Sequence, residues 1–126
     1  MNILAFDPGD TVGYAIVEED GYIRAKGGFP IGAAAQWTSH IRGLGPIDEI
    51  VIESPPQNIK NHSVAWHTVE HWIEVTFPTA KVSRVSPGEW KPLKHILSRE
   101  KDKFESDHEK DAVMLARFRA RQLAVK

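Results

Sequence analysis

The chain contains no cysteine. Disulfides, thiolate zinc sites and a cysteine nucleophile are therefore excluded, and the composition fits a reducing compartment. Long apolar runs are missing too: no stretch reaches the roughly 18 residues of a membrane span. The N-terminus enters strand pattern directly, without a basic leader, so neither a signal peptide nor a membrane partner is expected. Repeats, low-complexity tracts and linkers are absent from the 126 residues. That length suffices for one compact domain with a real core and excludes two large lobes, so one domain over 1–126 is expected.

A charge bias over the whole chain is also lacking, since the formal net charge is −1. The charges are nevertheless segregated. Residues 81–126 carry 12 Lys/Arg against 7 Asp/Glu, whereas residues 1–80 carry 4 against 10. A basic C-terminal third has two readings, a polyanionic partner or a solvated polar face.

What is present begins with NILAFDPGDTVGYAIVEEDG. The apolar run Ile3–Phe6 reads as a buried strand that carries Asp7 at its end, before the Pro8-Gly9 breaker. Strands follow at Val12–Glu18 and Tyr22–Gly28, then a helix at Ala33–Arg42 closed by Gly43 and Gly45. A fourth strand, Glu49–Glu53, precedes a helix from His62 to Phe77, and a fifth strand spans Ala80–Val85. Ser86-Pro87-Gly88-Glu89 opens a helix running to Leu97. Ser98–Glu105 is charged and without apolar anchors, so it is expected to be mobile. Ser106-Asp107-His108-Glu109 is a second capping box, opening a last helix to Leu123. The order β-β-β-α-β-α-β-α-α implies an α/β fold, a mixed five-stranded sheet flanked by helices.

Three carboxylates sit at the edges of core elements far apart in sequence: Asp7, Glu53 before Pro55-Pro56, and Asp111 at the start of an apolar helix. A carboxylate so placed is costly unless a cation neutralises it. Parallel pairing of the first and fourth strands would set Asp7 beside Glu53, and the last helix can bring Asp111 to them. His108 shares a helix face with Asp111. Hard oxygen ligands suit Mg²⁺, or Mn²⁺ where a histidine joins. Asp107 has two readings, a ligand or a first-turn acid favoured by the helix dipole. Asp10 reads as a turn residue.

Three blocks in order, ILAFDPGDTVGYAIV, IVIESPPQN and SDHEKDAVMLA, resemble those of the RuvC-type Holliday junction resolvases, within the ribonuclease H-like fold. The short length resembles that of compact bacteriophage members. The resemblance puts Asp7, Glu53 and Asp111 at metal-binding places and His108 at the fourth, which is Asp or His in different members. It implies a metal-dependent endonuclease that makes paired nicks in four-way DNA junctions with two Mg²⁺ or Mn²⁺ ions per active site. It also implies a homodimer packed through the long helix 62–77, in the cytoplasm of a bacterial or phage-infected cell. Trp66 and Trp72 would supply apolar surface for that partner, or belong to the core.

Candidate phosphate contacts are Lys91, Lys94, Arg99, Lys101 and Lys103, expected to flank the carboxylates, and Lys60, just before the long helix. Arg117, Arg119 and Arg121 occupy different faces of the last helix and read as solvated. His67-Thr68-Val69-Glu70-His71 matches a zinc-protease pattern but implies no third ligand. Other function classes stay open: a ribonuclease H-fold nuclease on other branched DNA or RNA–DNA hybrid, a non-catalytic junction-binding protein, and a sugar-kinase/actin-type nucleotide module, whose loop also reads Asp-x-Gly-x-Thr. Length argues against the last.

Overall fold

The structure, a computed structural model, describes residues 1–54 and 63–125. Lys60, the Pro55-Pro56 breaker and the expected helix start at His62 lie outside the described residues.

Strands β1 (Asn2–Asp7), β2 (Thr11–Glu18) and β3 (Ile23–Pro30) form an antiparallel meander. A short 3₁₀ turn and helix α1 (Ala34–Arg42) lead to β4 (Glu49–Glu53), which pairs in parallel with β1. Helix α2 (Ser63–Thr76) crosses back to β5 (Lys81–Val85), parallel to β4. The sheet order is β3-β2-β1-β4-β5, so β1 and β4 sit at its centre. Their near-continuous apolar runs follow from burial on both faces.

Side-chain parity divides the core in two. Leu4, Phe6, Tyr14, Ile16, Ile50 and Ile52 face α1 and α2, where Trp66, Val69 and Ile73 meet them. Ile3, Ala5, Ala15, Val17 and Val51 face the last helix, α5 (Asp107–Ala124). That second interface is lined by small residues, Ala112, Ala116 and Ala120 among them, which lets the helix lie close on the strands.

The 86–97 segment is not one helix. Ser86 opens it with its backbone N–H donating to Glu89 Oε2 at 2.7 Å. It then breaks into α3 (Pro87–Trp90), a 3₁₀ turn (Lys91–Leu93) and α4 (Lys94–Leu97). Pro92 lacks the N–H that a continuous helix needs. At the second box only half forms. Glu109 N donates to Ser106 Oγ at 3.2 Å, but the buried Glu109 carboxylate pairs with Lys26 instead of reaching back to Ser106.

Two further expectations are overturned. Ser98–Glu105 is anchored: Asp102 accepts from the buried Arg117 guanidinium at 2.6 and 2.9 Å, and Phe104 packs on the α5-side core. Arg117 also donates to the carbonyls of Gly21 and Leu97, each at 3.0 Å. Arg119 reaches Glu49 Oε1 at 2.7 Å, and Ser83 donates to the same oxygen. Neither arginine is merely solvated, because each neutralises a carboxylate that burial would otherwise disfavour. Burial pushes the Asp102 and Glu49 carboxyls up, but their arginine hydrogen bonds outweigh it and hold both below the ordinary carboxylate range.

Candidate active site

Asp7 and Glu53 are the last residues of adjacent parallel strands, and the register Phe6↔Ile52 sets them side by side. Alternation aims both at the α5 face: Ala5 and Val51, two residues earlier, belong to the α5-side core. Opposite Asp7 on β2 stands Gly13. A Cβ there would lie 2.0 Å from the His108 carbonyl oxygen. This close approach seats the first turn of α5 on the strand and brings His108 and Asp111 to the end of β1. Sequence reading missed Gly13, although a glycine inside a strand pattern is the usual mark of another backbone lying against it.

The His108 Nδ1 lies 4.0 Å from Asp7 Oδ2. Lys94 Nζ lies 3.1 Å from Asp111 Oδ1 and over the Trp90 ring, 5.4 Å from its centroid. Lys91 stands over the same ring at 5.8 Å. The four site residues are thus gathered, with Lys91 and Lys94 beside them. Among the described residues no three carboxylates or histidines close on a common point as a ready ion cage. Asp111 is instead paired with Lys94.

Electrostatics set these carboxylates apart. The Asp7 carboxyl is pushed up to about 7, by burial first and then by repulsion from Glu53 and Asp111, against the pull of Lys91 and Lys94. Glu53 is also raised, chiefly by burial and partly by Asp111, although the Trp90 hydrogen bond and both lysines oppose this. Carboxylates crowded until one resists ionising are what a divalent cation would relieve, and their hard oxygens suit Mg²⁺ or Mn²⁺.

The remaining candidates separate from this cluster. The Arg99 guanidinium donates to the Asp20 carbonyl, in the turn at the opposite end of the sheet. Lys101 lines a cleft there with Tyr22, Ile23 and Arg117. The expectation that Arg99 and Lys101 flank the carboxylates is therefore corrected: α4 runs away from Asp111, and the chain returns only at Ser106. Lys103 is exposed on the returning segment. Asp107 is exposed in the first turn of α5 and makes no ion pair among the described residues; Asp10 is exposed in its turn. Glu70 is engaged by Arg84, and among the described residues no zinc-type group forms around His67 and His71.

No family model matches the chain, and no curated protein matches it by sequence. Solved structures do. A structure titled T. thermophilus RuvC in complex with Holliday junction substrate superposes with a TM-score of 0.80 at 12% identity, over 99% of this chain and 96% of that one. A second, Thermus thermophilus RuvC, gives 0.77 at 13% identity, over 99% and 96%. The fold is that of RuvC. On the RuvC fold of this chain, Asp7 and Glu53 end the central strand pair and Asp111 approaches them from α5. No helix among the described residues is long and apolar enough to cross a membrane.

Proposed function

We propose that the chain is a Holliday junction resolvase, a metal-dependent endonuclease that makes paired nicks in four-way DNA junctions. The observation that carries this reading is the approach of Asp111 to Asp7 and Glu53 at the end of β1 and β4, where burial and mutual repulsion push the Asp7 carboxyl up to about 7. The RuvC fold, seen elsewhere with a Holliday junction substrate, supports it. Asp7, Glu53, Asp111 and His108 would hold two Mg²⁺ or Mn²⁺ ions. When bound, such a pair supplies an activated water and stabilises the leaving oxygen of a phosphodiester.

The chain's own groups do the rest. His108, whose Nδ1 lies 4.0 Å from Asp7 Oδ2, would act through its single lone-pair nitrogen, as the fourth ligand or, where it does not ligate, as the acceptor of a proton from the attacking water. Lys91 and Lys94 hold the phosphate that the carboxylates would repel, and recognition rests on phosphates and junction shape. The working unit is a symmetric dimer through α2, which sets two sites on opposite strands.

The test incubates the protein with a synthetic four-way junction and Mg²⁺ or Mn²⁺ and maps the products, beside a duplex, a fork and an RNA–DNA hybrid. Symmetric nicks in the junction are expected. Preferred cutting of the fork or hybrid would favour a different ribonuclease H-fold nuclease, and junction binding without cutting would mean a non-catalytic binder.

A further inference from the structure

Glu53 is gripped by two indoles from opposite faces of the sheet. Trp66, from the α2-side core, donates its Nε1–H to the Glu53 main-chain carbonyl. Trp90, from the α5-side core, donates its Nε1–H to Glu53 Oε2 at 2.7 Å. Trp90 is completely buried, and an indole N–H at such a place needs an acceptor. It is a donor only, so it bonds to the carboxylate without competing for a cation. The hydrogen bond occupies one carboxylate oxygen and holds the rotamer; among the described residues Oε1 accepts no hydrogen bond. The same ring carries Lys91 and Lys94 on its face.

We propose that Trp90 is a positioning residue for the metal site: its indole N–H orients Glu53 so that the carboxylate's other oxygen would be available to a divalent cation. This rests on the metal-site reading above. The ring and the N–H make separable contributions. The ring fills core volume and seats the two lysines, whereas the N–H acts only on Glu53.

The test replaces Trp90 with β-(3-benzothienyl)alanine, in which sulfur stands for N–H in a ring of the same shape, and with Trp90→Phe as a second variant. Mn²⁺ binding to the full chain is measured by calorimetry, and the Mg²⁺ dependence of junction cleavage is resolved into KM for the metal and kcat. The expected result is metal binding weaker by about tenfold or more, with KM for Mg²⁺ raised in step and kcat at saturating Mg²⁺ largely restored. A role in packing alone would leave the isostere's metal affinity unchanged, which would overturn the inference. In the unaltered protein, the Trp90 indole N–H resonance should move over the same Mg²⁺ range as binding, and a static resonance would also overturn it. Absence of Mn²⁺ binding by the unaltered protein would remove the parent reading as well, whereas equal binding by both proteins removes only this inference.

Discussion

Asp7 carries an energetic burden that its strand neighbours do not. An acid raised to about 7 in the fold and near the ordinary carboxylate value when unfolded takes up its proton more readily in the native state. Its penalty is therefore absent at low pH, grows as pH rises toward 7, and is complete above it. Asp7→Asn should then stabilise the chain at pH 8 with chelator present, on the order of 2 kcal/mol. The gain should shrink as pH falls from 7 toward 4, when the native aspartate is itself protonated. The same variant should bind junctions and fail to cut them, because phosphate contacts carry affinity and the carboxylates carry chemistry. Denaturation midpoints across pH, read beside a cleavage assay, check both halves. A variant that cuts at the normal rate would remove Asp7 from the site.

At the scale of elements, the site depends on α5 lying tightly on β2. Gly13→Ala would drive a methyl into the His108 carbonyl, and backbone on both sides leaves little room to yield. It should cost about 3 kcal/mol or more and displace His108 and Asp111 from Asp7, abolishing cleavage. Gly32→Ala, whose Cβ would meet nothing within 4 Å, is the neutral control. Chemical denaturation of the two variants makes the comparison.

The turn at the far end of the sheet is tied by Arg117, which joins α5, α4 and the segment after it through Asp102. Removing one member of a buried pair strands the other, so Arg117→Met should destabilise by about 3–5 kcal/mol. The salt slope of junction binding should stay unchanged, since this arginine is buried and spends its donors on Asp102, Gly21 and Leu97. A reduced slope in a filter-binding titration would place Arg117 on the DNA surface.

For the whole molecule, the proposed dimer needs a surface on α2. Trp66 was a candidate partner contact, but it is only 7% exposed and bonded to Glu53, so its replacement would damage the fold before it tested a dimer. The outward stripe of α2 is instead Val64, His67, His71 and Val75, with the two valines 73% and 56% exposed. Val75→Glu should leave stability within about 0.5 kcal/mol and yield monomers that nick without coordination. Light scattering beside a junction assay decides; a monomeric unaltered chain that resolves junctions fully would refute the dimer.

Much of the layout was legible along the chain because local rules decide it. Period-two alternation in Ile3–Asp7 and Ile50–Glu53 already aims both carboxylates to one face, and breakers after each end the strands there. Ser106 and Asp111 mark a helix start by capping and patterning alone. The break at Pro92 was local too, written in a residue that cannot donate to a helix. What tertiary structure alone decided are the contacts between elements distant in sequence: Gly13 under His108, Trp90 on Glu53, Lys94 on Asp111, and Arg117 locked to Asp102 while Arg99 turns to Asp20. A lysine or arginine reads the same in sequence whether it meets solvent, DNA or a buried carboxylate. Only the packing of α5 and α4 on the sheet settles which partner lies within reach, because the energy of a charge depends on its surroundings in space and not on its neighbours along the chain.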